Sequence, residues 1–372
     1  MRLGEICKFQ SGGTPSKSKQ FYFNGTIPWI TTVALNGGYI SDTDAVDWIT
    51  EKAISESAAK IVPKNSIMVG TRVGVGKVGI NTVSMSTSQD VISLLNIDEE
   101  KWFKPYLCKV LQSKHGFLNA QARGATIKGI KIDVLASIDV PELSIDEQKK
   151  ISFIIDKLTA LISLRKQQLA KLDELVKARF VELFGDRYTN DKKWENKPLA
   201  ECADFYNGKA HEQVVDENGE YILVTSRCIA SDITDYRRTN ALLFPLKTND
   251  IAMVMSDVPN GRALAKCILI DENDKYTLNQ RICCLRNYSF NPIFFYYLLN
   301  RHEYFLSFND GNAQTNLRKD DLLACNIIMP PLELQNQFAA FVEQTDKSKS
   351  AIQQSLDKLE TLKKALMQKY FG

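Results

Sequence analysis

The sequence predicts an α+β protein in which two β-rich α/β domains, in a pseudo-two-fold arrangement, are joined by two long antiparallel α-helices. Three observations predict this fold class. The second half of the chain repeats the first, and each half opens with a region rich in β-branched residues. Each half then closes with a long stretch that lacks Gly and Pro and carries apolar residues three and four positions apart. The 372 residues are enough for two domains with their own cores.

The repeat is strongest at the back of each half, where residues 103–185 align with residues 290–372 without a gap. The front parts match more loosely: LGEICKFQSG at 3–12 resembles LAECADFYNG at 199–208. A shared back and a diverged front are expected if the two halves keep one scaffold but recognise different things. Identical pairs include Phe103/Phe290, Pro105/Pro292, Leu111/Leu298, His115/His302, Gln148/Gln335 and Gly185/Gly372.

The same elements are predicted in the same order in both halves. Strands are expected in IPWITTVAL, SIMVGT, KVGINTVSM and DVISLLN of the first half, and in EYILVTS, DIAMVM, ALAKCILI and RICCLRN of the second. A short helix follows at 105–119 and at 292–306, each with Pro in its first turn. A Gly-containing loop then leads to the long helix.

The long helices are expected from about Ile145 to Leu183 and from about Leu332 to Tyr370, with Ser144 or Asp146 capping the first. At about 1.5 Å per residue each is a rod of about 57 Å, and an amphipathic rod of that length needs a partner for its apolar stripe. The other half's helix is the expected partner, although two ordinary core helices are an alternative. The coiled-coil positions are Ile151, Ile155, Leu158, Ile162, Leu169, Leu172, Leu175, Ile352, Leu356, Leu359, Leu362 and Leu366.

The stretch MVGTRVGVGKVGI places Gly74, Gly76 and Gly79 in G-x-G-x-x-G spacing after an apolar run. A dinucleotide or S-adenosylmethionine site needs a helix after this loop, because the helix N-terminus holds the charged group. The residues that follow, INTVSMSTSQDVISLL, are typical of a strand or loop. The pattern therefore favours a glycine-rich β-turn or hairpin that presents Arg72 and Lys77.

Basic and amide side chains recur at matching places in the two halves. MSDVPNGRALAK is the counterpart of the glycine-rich turn, STSQD and TLNQR each precede a strand, and RGATIKGIK and GNAQTNLRK are loops at one repeat position. Arg and Lys suit guanine edges and phosphates, and Asn and Gln suit adenine edges. Solvated surface charge is the alternative for each residue. The candidate DNA-binding residues are Lys17, Arg72, Lys77, Gln89, Arg123, Lys128, Arg227, Asn260, Arg262, Gln280, Arg281, Gln314 and Arg318.

Several function classes are disfavoured. The formal net charge of +3 means that any nucleic-acid contact must come from local basic clusters. No apolar run reaches the about 20 residues of a membrane span, and the eight cysteines form no C-x-x-C pair, so a cytoplasmic protein without a metal site is expected. No Walker A, G-x-S-x-G or H-E-x-x-H motif occurs, and MPPLEL lacks the acid and aromatic of an aminomethyltransferase motif. We therefore expect a recognition protein and not an enzyme, with no catalytic residue.

The segment IDVPELSIDEQKKI, the long helix ending LFG, and the second copies IIMPPLELQNQF and YFG resemble the specificity subunit of type I restriction–modification systems. The resemblance implies target recognition domains at 1–143 and 188–331, and conserved helices at 144–187 and 332–372 that form an antiparallel coiled coil. It implies a bipartite double-stranded DNA target whose halves are separated by a fixed number of unspecified bases.

The resemblance also implies partners. Two modification subunits would bind S-adenosylmethionine and methylate adenine N6, and restriction subunits would use ATP, so this chain would carry no cofactor. Contact with a membrane is not expected, because the sequence has no apolar run of sufficient length. One alternative is the specificity subunit of a related type II-like methyltransferase or nuclease complex. Others are an S-adenosylmethionine-binding methyltransferase fragment that uses the Gly74–Gly79 loop, and a coiled-coil adaptor without a DNA role.

Overall fold

A computed structural model gives the structure of residues 1–123, 129–257, 263–309 and 315–372. The chain divides into two compact units: unit 1 is Met1–Lys166 with Gln354–Gly372, and unit 2 is Gln167–Gln353. The domain boundaries predicted at 143, 187 and 331 remain predictions, because this division cuts through both long helices. In the described ranges, no helix has the length and apolarity that crossing a bilayer requires.

Unit 1 contains two mixed β-sheets. One has the strand order β1-β9-β6-β7-β3 and the other β4-β2-β8-β5. Strand β6 is buried along its whole length, which explains why SIMVGT reads as an apolar run and not as an alternating pattern. The strands are β1 (Lys8–Ser11), β2 (Phe23–Ile30), β3 (Tyr39–Ile40), β4 (Asp47–Ile49), β5 (Ile61–Val62), β6 (Ile67–Gly70), β7 (Val78–Asn81), β8 (Met85–Thr87) and β9 (Val91–Leu95).

Most helices of unit 1 share the core of the first sheet, whereas the helix at Glu51–Glu56 buries Ala53 in the core of the second sheet. The short helix predicted over 105–119 is two helices, because the backbone leaves the helical region at Lys114, with φ −87° and ψ 7°. The break redirects the chain so that Leu118 is buried in the core. The helices are α1 (Leu3–Ile6), α2 (Glu51–Glu56), α3 (Lys104–Ser113), α4 (His115–Gln121), α5 (Ile132–Ala136) and the first part of α6 (Ile145–Phe184).

Unit 2 has sheets with the strand orders β11-β18-β14-β16 and β13-β12-β17, and the short pairs β10-β20 and β15-β19. Its strands are β10 (Asn196–Pro198), β11 (Asp204–Asn207), β12 (Tyr221–Val224), β13 (Arg237–Thr239), β14 (Ile251–Val254), β15 (Ser256–Asp257), β16 (Cys267–Leu269), β17 (Tyr276–Leu278), β18 (Ile282–Arg286), β19 (Thr315–Asn316) and β20 (Asn326–Ile328).

The helix predicted over 292–306 is also two helices, because His302 has extended backbone and caps the second one. The helices of unit 2 are the rest of α6, α7 (Leu199–Cys202), α8 (Ser226–Ala230), α9 (Pro292–Leu299), α10 (Glu303–Leu306), α11 (Lys319–Leu323) and the first part of α12 (Leu332–Phe371).

The loosely matching front parts share one topology. The order β1-β9-β6-β7 of unit 1 corresponds to β11-β18-β14-β16 of unit 2, and β4-β2-β8 corresponds to β13-β12-β17. The weakly similar segments at 3–12 and 199–208 each form a one-turn helix and a strand. The repeat therefore extends over the whole of each half, and the predicted fold class is confirmed.

Within unit 1, the start of α6 and the end of α12 are antiparallel. Lys166 Nζ lies 2.7 Å from Glu360 Oε1. Asp156, which precedes Lys166 in α6, lines the same groove as Lys363, which follows Glu360 in α12, so the two helices run in opposite directions. The terminal Phe371 is 2% exposed and belongs to the core of unit 1. The predicted stripe residues Ile151, Ile155 and Leu158 are buried.

Within unit 2, the end of α6 and the start of α12 are antiparallel as well. Lys349 Nζ lies 2.6 Å from Asp173 Oδ1, and the rings of Phe180 and Phe338 have centroids 5.4 Å apart. The terminal Phe184 is fully buried among them.

Two predicted stripe positions are corrected. Leu175 is 49% exposed and Leu362 is 48% exposed, so neither belongs to the buried stripe. Val176, which is 1% exposed, takes the buried position beside Leu175. Val176 lies seven residues after Leu169, in the heptad register of Ile155 and Ile162, whereas Leu175 lies one residue before that register position. Leu362 likewise lies one residue before position 363, which is seven residues after Leu356.

Candidate nucleic-acid interface

Two matched turns form the centre of the candidate interface. Turn A, residues 88–90, connects β8 to β9, and turn B, residues 279–281, connects β17 to β18. In turn A, Val91 N donates to Ser88 O at 3.1 Å, and Ser88 Oγ accepts from Asp90 N at 3.4 Å. In turn B, Ile282 N donates to Asn279 O at 3.1 Å, and Asn279 Oδ1 accepts from Arg281 N at 3.5 Å. The two halves therefore build the same turn from different residues.

A glycine behind each turn explains part of the weak front match. A Cβ atom on Gly12 would lie 2.2 Å from Ser88 O, and a Cβ atom on Gly208 would lie 2.1 Å from Asn279 O. Only glycine allows this approach of two backbones. The endings SG and NG of the two front segments thus mark the places where β1 and β11 support turns A and B.

Each turn exposes a glutamine at its middle position. Gln89 Oε1 accepts a hydrogen bond from the hydroxyl of Thr14. Gln280 Nε2 donates to Glu212 Oε1 at 2.9 Å. Both side chains are exposed, and an amide presents a donor and an acceptor together. Such a group can pair with the edge of an adenine.

The glycine-rich stretch of unit 1 is a hairpin loop. Strand β6 pairs antiparallel with β7, and the loop between them has Gly74 at φ 71° and Gly76 at φ 79°. Gly79 lies within strand β7, so the third glycine of the motif opens no helix. The predicted hairpin is confirmed, and the helix that a phosphate-binding loop requires does not follow it.

Side chains from three segments meet beside turn A. Arg72 Nη1 lies 3.7 Å from Asp90 Oδ1. Arg72, Arg123 and Lys131 line a groove of about 700 Å³. The backbone of Arg123 pairs antiparallel with that of Gly129. The structure therefore brings the candidates Arg72 and Arg123 into one groove, and the contact of Arg72 with Asp90 places that groove beside turn A, which carries Gln89.

Beside turn B lies a smaller concave site, the unit 2 cleft, of about 280 Å³. It contains the candidates Arg227 and Arg281 together with Tyr236 and Arg237, which were not predicted from the sequence. The run Tyr236-Arg237-Arg238 is the sequence feature that could have indicated these two residues, but only strand pairing places the run opposite turn B. The lining residues are Glu212, Thr225, Ser226, Arg227, Asp235, Tyr236, Arg237, Asn279 and Arg281.

The other candidates are placed separately. Lys77 lines a different groove of about 890 Å³ together with His115. Lys17 is exposed in a loop before β2, and Arg318 is exposed at the N-cap of α11. The remaining candidates lie outside the described residues: Lys128, Asn260, Arg262 and Gln314.

Seven of the eight cysteines, all except Cys202, and two of the histidines are buried. Burial raises the pKa of Cys7, Cys108 and Cys283 to about 12, so these thiols stay protonated at neutral pH. His211 is fully buried, with Nε2 2.9 Å from Thr277 Oγ1. His302 is buried, whereas His115, the identical residue at the same repeat position, is exposed.

Residues 1–174 and 191–362 match the family described as type I restriction modification DNA specificity domain. The chain therefore belongs to this family. Two solved structures have the same fold. One is a type I restriction–modification S subunit from M. genitalium, with a TM-score of 0.58, 17% identity and coverage of 100% of this chain and 95% of that chain. The other is a chain of a type I R-M system solved to explain complex assembly and conformational transition, with a TM-score of 0.65, 17% identity and coverage of 100% and 96%.

Curated relatives are specificity subunits of type I restriction enzymes. One from Methanocaldococcus jannaschii is 27% identical over 57% of this chain and 48% of its own length. One from Escherichia coli is 32% identical over 46% of this chain and 44% of its own length. The chain thus spans about half the length of these two relatives. A second subunit from M. jannaschii is 24% identical over 99% of this chain and 90% of its own length.

Proposed function

We propose that this chain is the DNA-reading specificity subunit of a type I restriction–modification complex. Unit 1 and unit 2 each read one half of a bipartite double-stranded target, and unspecified bases separate the halves. The observation that carries this proposal is the pair of matched turns, because each exposes a glutamine and stands beside a groove that contains two or more arginines. Amides and arginines are the side chains that read base edges in the major groove.

The chain supplies recognition, and the partner subunits supply the chemistry. Membership of the family supports modification subunits that methylate adenine N6 and restriction subunits that cleave DNA. In this arrangement S-adenosylmethionine and ATP bind to the partners, and the chain itself holds no cofactor.

Methylome sequencing tests the proposal. The full chain is expressed with its modification subunit, and methylated adenines are mapped across the host genome. We expect one bipartite motif with a constant spacer, and no motif in cells that contain the modification subunit alone. Methylation without a motif, or at one uninterrupted motif, would contradict the proposal.

The two turns can be separated by matched variants. We expect Gln89→Ala to relax one half-site and Gln280→Ala to relax the other, because each turn belongs to one unit. The loss of a bidentate base contact is worth about 1–3 kcal/mol of discrimination. Gln167→Ala, an exposed glutamine on α6, is the control and should leave both half-sites unchanged. A change of the same half-site by both turn variants would overturn this assignment.

A further inference from the structure

Strand pairing and turn geometry allow the two reading surfaces to be compared residue by residue. Ser88 N donates to Ile30 O at 2.9 Å, and Asn279 N donates to Val224 O at 3.1 Å, so Ile30 and Val224 occupy one repeat position. Three residues further on, Val33 of unit 1 corresponds to Arg227 of unit 2. The next residues, Ala34 and Cys228, are both buried, which agrees with this alignment.

A second correspondence comes from the neighbouring strands. Trp29 pairs with Asp47, and Leu223, at the same repeat position as Trp29, pairs with Arg237. Asp47 therefore corresponds to Arg237. The last residues of turns A and B give a third pair, Asp90 and Arg281. At three matched positions, unit 1 has one apolar and two acidic residues, whereas unit 2 has three arginines.

The exposed valine and the exposed arginine at the first matched position are the clearest contrast. Val33 is 78% exposed, and the side chain of Arg227 is 71% exposed. Arg227 Nε donates to Asp235 Oδ2 at 2.6 Å, which restricts the orientation of the guanidinium group inside the cleft. An arginine held in this way is pre-organised for a flat, bidentate partner.

On the basis of the proposed function, we propose that the unit 2 cleft reads a G·C base pair and that Arg227, oriented by Asp235, donates to guanine O6 and N7. In the major groove, these two acceptors match the fork of an arginine. Unit 1 has Val33 at this position, so unit 1 reads its half-site there without a guanine contact. The exposed methyl groups of Val33 suit the methyl group of thymine.

The acidic residues of the cleft favour a base over a phosphate as the partner. Glu212 and Asp235 line the same cleft as Arg227, and carboxylates repel the phosphate backbone. A carboxylate can instead accept from the N4 amino group of the cytosine in a G·C pair. The mixture of arginines and carboxylates therefore fits the edge of a G·C pair better than a phosphate group.

The test uses the full chain in complex with its modification subunit and a duplex library in which each position of the wild-type motif is randomised. For Arg227→Ala we expect discrimination for guanine at one position of one half-site to fall by roughly 5- to 150-fold, with the other half-site unchanged. Arg227→Lys keeps the charge but lacks the fork, and it should relax the same position. Because Arg227 is largely exposed, both variants should fold.

Lys247→Ala is the matched control, because Lys247 is exposed in unit 2 at the other end of β14 from turn B. It should change no position of the motif. A uniform loss of methylation with an unchanged motif in Arg227→Ala would show a phosphate contact and overturn the assignment, as would an unchanged motif and rate. If the wild-type complex has no bipartite motif, the proposed function fails. If that motif is intact but insensitive to Arg227, only this assignment fails.

Discussion

Two buried glutamines explain why the segment before each long helix is repeated. Gln148 Oε1 accepts from Phe103 N at 2.9 Å, and its Nε2 donates to Leu143 O at 2.9 Å. In the second copy, Gln335 Oε1 accepts from Asn291 N at 2.9 Å, and its Nε2 donates to Pro330 O at 2.8 Å. Each glutamine joins the start of a long helix to the start of a short helix. The repeated motif therefore has a structural role: each buried glutamine forms hydrogen bonds with backbone N–H and C=O groups and so connects the two helix starts.

His302 illustrates a different buried group, one that titrates. Its Nδ1 accepts from Tyr304 N at 3.2 Å and so caps α10, while its Nε2 has no hydrogen-bond partner in the described residues. Burial, and next the positive charge of Arg187, lower the pKa of His302 to about 4. Protonation would place a hydrogen on Nδ1 and remove the cap.

Stability should therefore depend on pH through His302. The unfolded chain gains a proton near the ordinary histidine pKa of about 6.5, whereas the folded chain stays neutral down to about 4. Between these values the unfolded state binds more protons, so the free energy of unfolding falls as the pH falls, by at most about 1.4 kcal/mol per pH unit from this group. Urea denaturation at pH 7, 6 and 5 measures the slope. His302→Asn keeps an acceptor at the cap but does not titrate, and it should show a smaller slope. Equal slopes would exclude His302 as the cause.

At the scale of elements, the final phenylalanine of each long helix anchors that helix in a core. Phe371 of α12 contacts Tyr106 in unit 1, with ring centroids 5.5 Å apart, and its carbonyl oxygen accepts from Lys114 Nζ at 2.5 Å. Phe184 of α6 contacts Phe294 in unit 2, with centroids 4.6 Å apart. The repeated endings LFG and YFG therefore place the same anchor in both units.

These anchors predict local effects of truncation. Removal of a buried phenylalanine side chain costs about 3–5 kcal/mol. We expect Phe371→Ala to accelerate hydrogen exchange in α3 of unit 1, and Phe184→Ala to accelerate it in α9 of unit 2. Each variant is the control for the other, because each phenylalanine belongs to one core. Mass spectrometry of peptides from the native chain measures the exchange, and equal acceleration of both helices by either variant would contradict separate anchors.

The elements that the sequence predicts best are those that local periodicity defines. The long helices begin at the expected residues and end one residue later, at Phe184 and Phe371, and Ser144 forms the expected cap with Glu147. The break at Lys114 was not predictable from periodicity, because apolar residues continue at helical spacing across it. Packing of Leu118 in the core, and not local propensity, decides that break.

The candidate interface shows the same limit. Gln89, Gln280 and Arg281 could be found because they lie in segments that repeat in sequence. Arg237 was missed because only the pairing of β13 with β12 places it in the unit 2 cleft. Pairing between distant strands leaves no periodic signal in a single sequence, so the turns and Arg227 were predicted, whereas Tyr236 and Arg237 in the wall of the cleft were not.

At the scale of the whole molecule, one topology carries two different surfaces. Sheet order, the supporting glycines and the buried glutamines are common to both units, whereas the exposed residues beside turns A and B differ in charge. Because the shared features are buried and the different ones are exposed, we expect a change of target to require substitutions only at the surface. The proposed reading surfaces could then diverge while the scaffold that presents them stays intact.

The long helices should determine the spacer between the two half-sites. They are paired in unit 1 by Lys166 with Glu360 and in unit 2 by Lys349 with Asp173. Deletion of one heptad from each helix, residues 167–173 and 351–357, removes about 10 Å of helix and nearly preserves the direction of each side chain, because seven residues are close to two turns.

We expect this double deletion to leave both half-site sequences unchanged and to shorten the preferred spacer by up to about 3 base pairs, at about 3.4 Å per base pair. Methylation of duplexes that differ only in spacer length measures the preference. The double variant Lys166→Ala with Glu360→Ala keeps the helix length and removes only an exposed ion pair, which contributes about 1 kcal/mol or less, so its spacer preference should equal that of the wild type. An unchanged spacer after the deletion would show that some feature other than helix length fixes the distance between the half-sites.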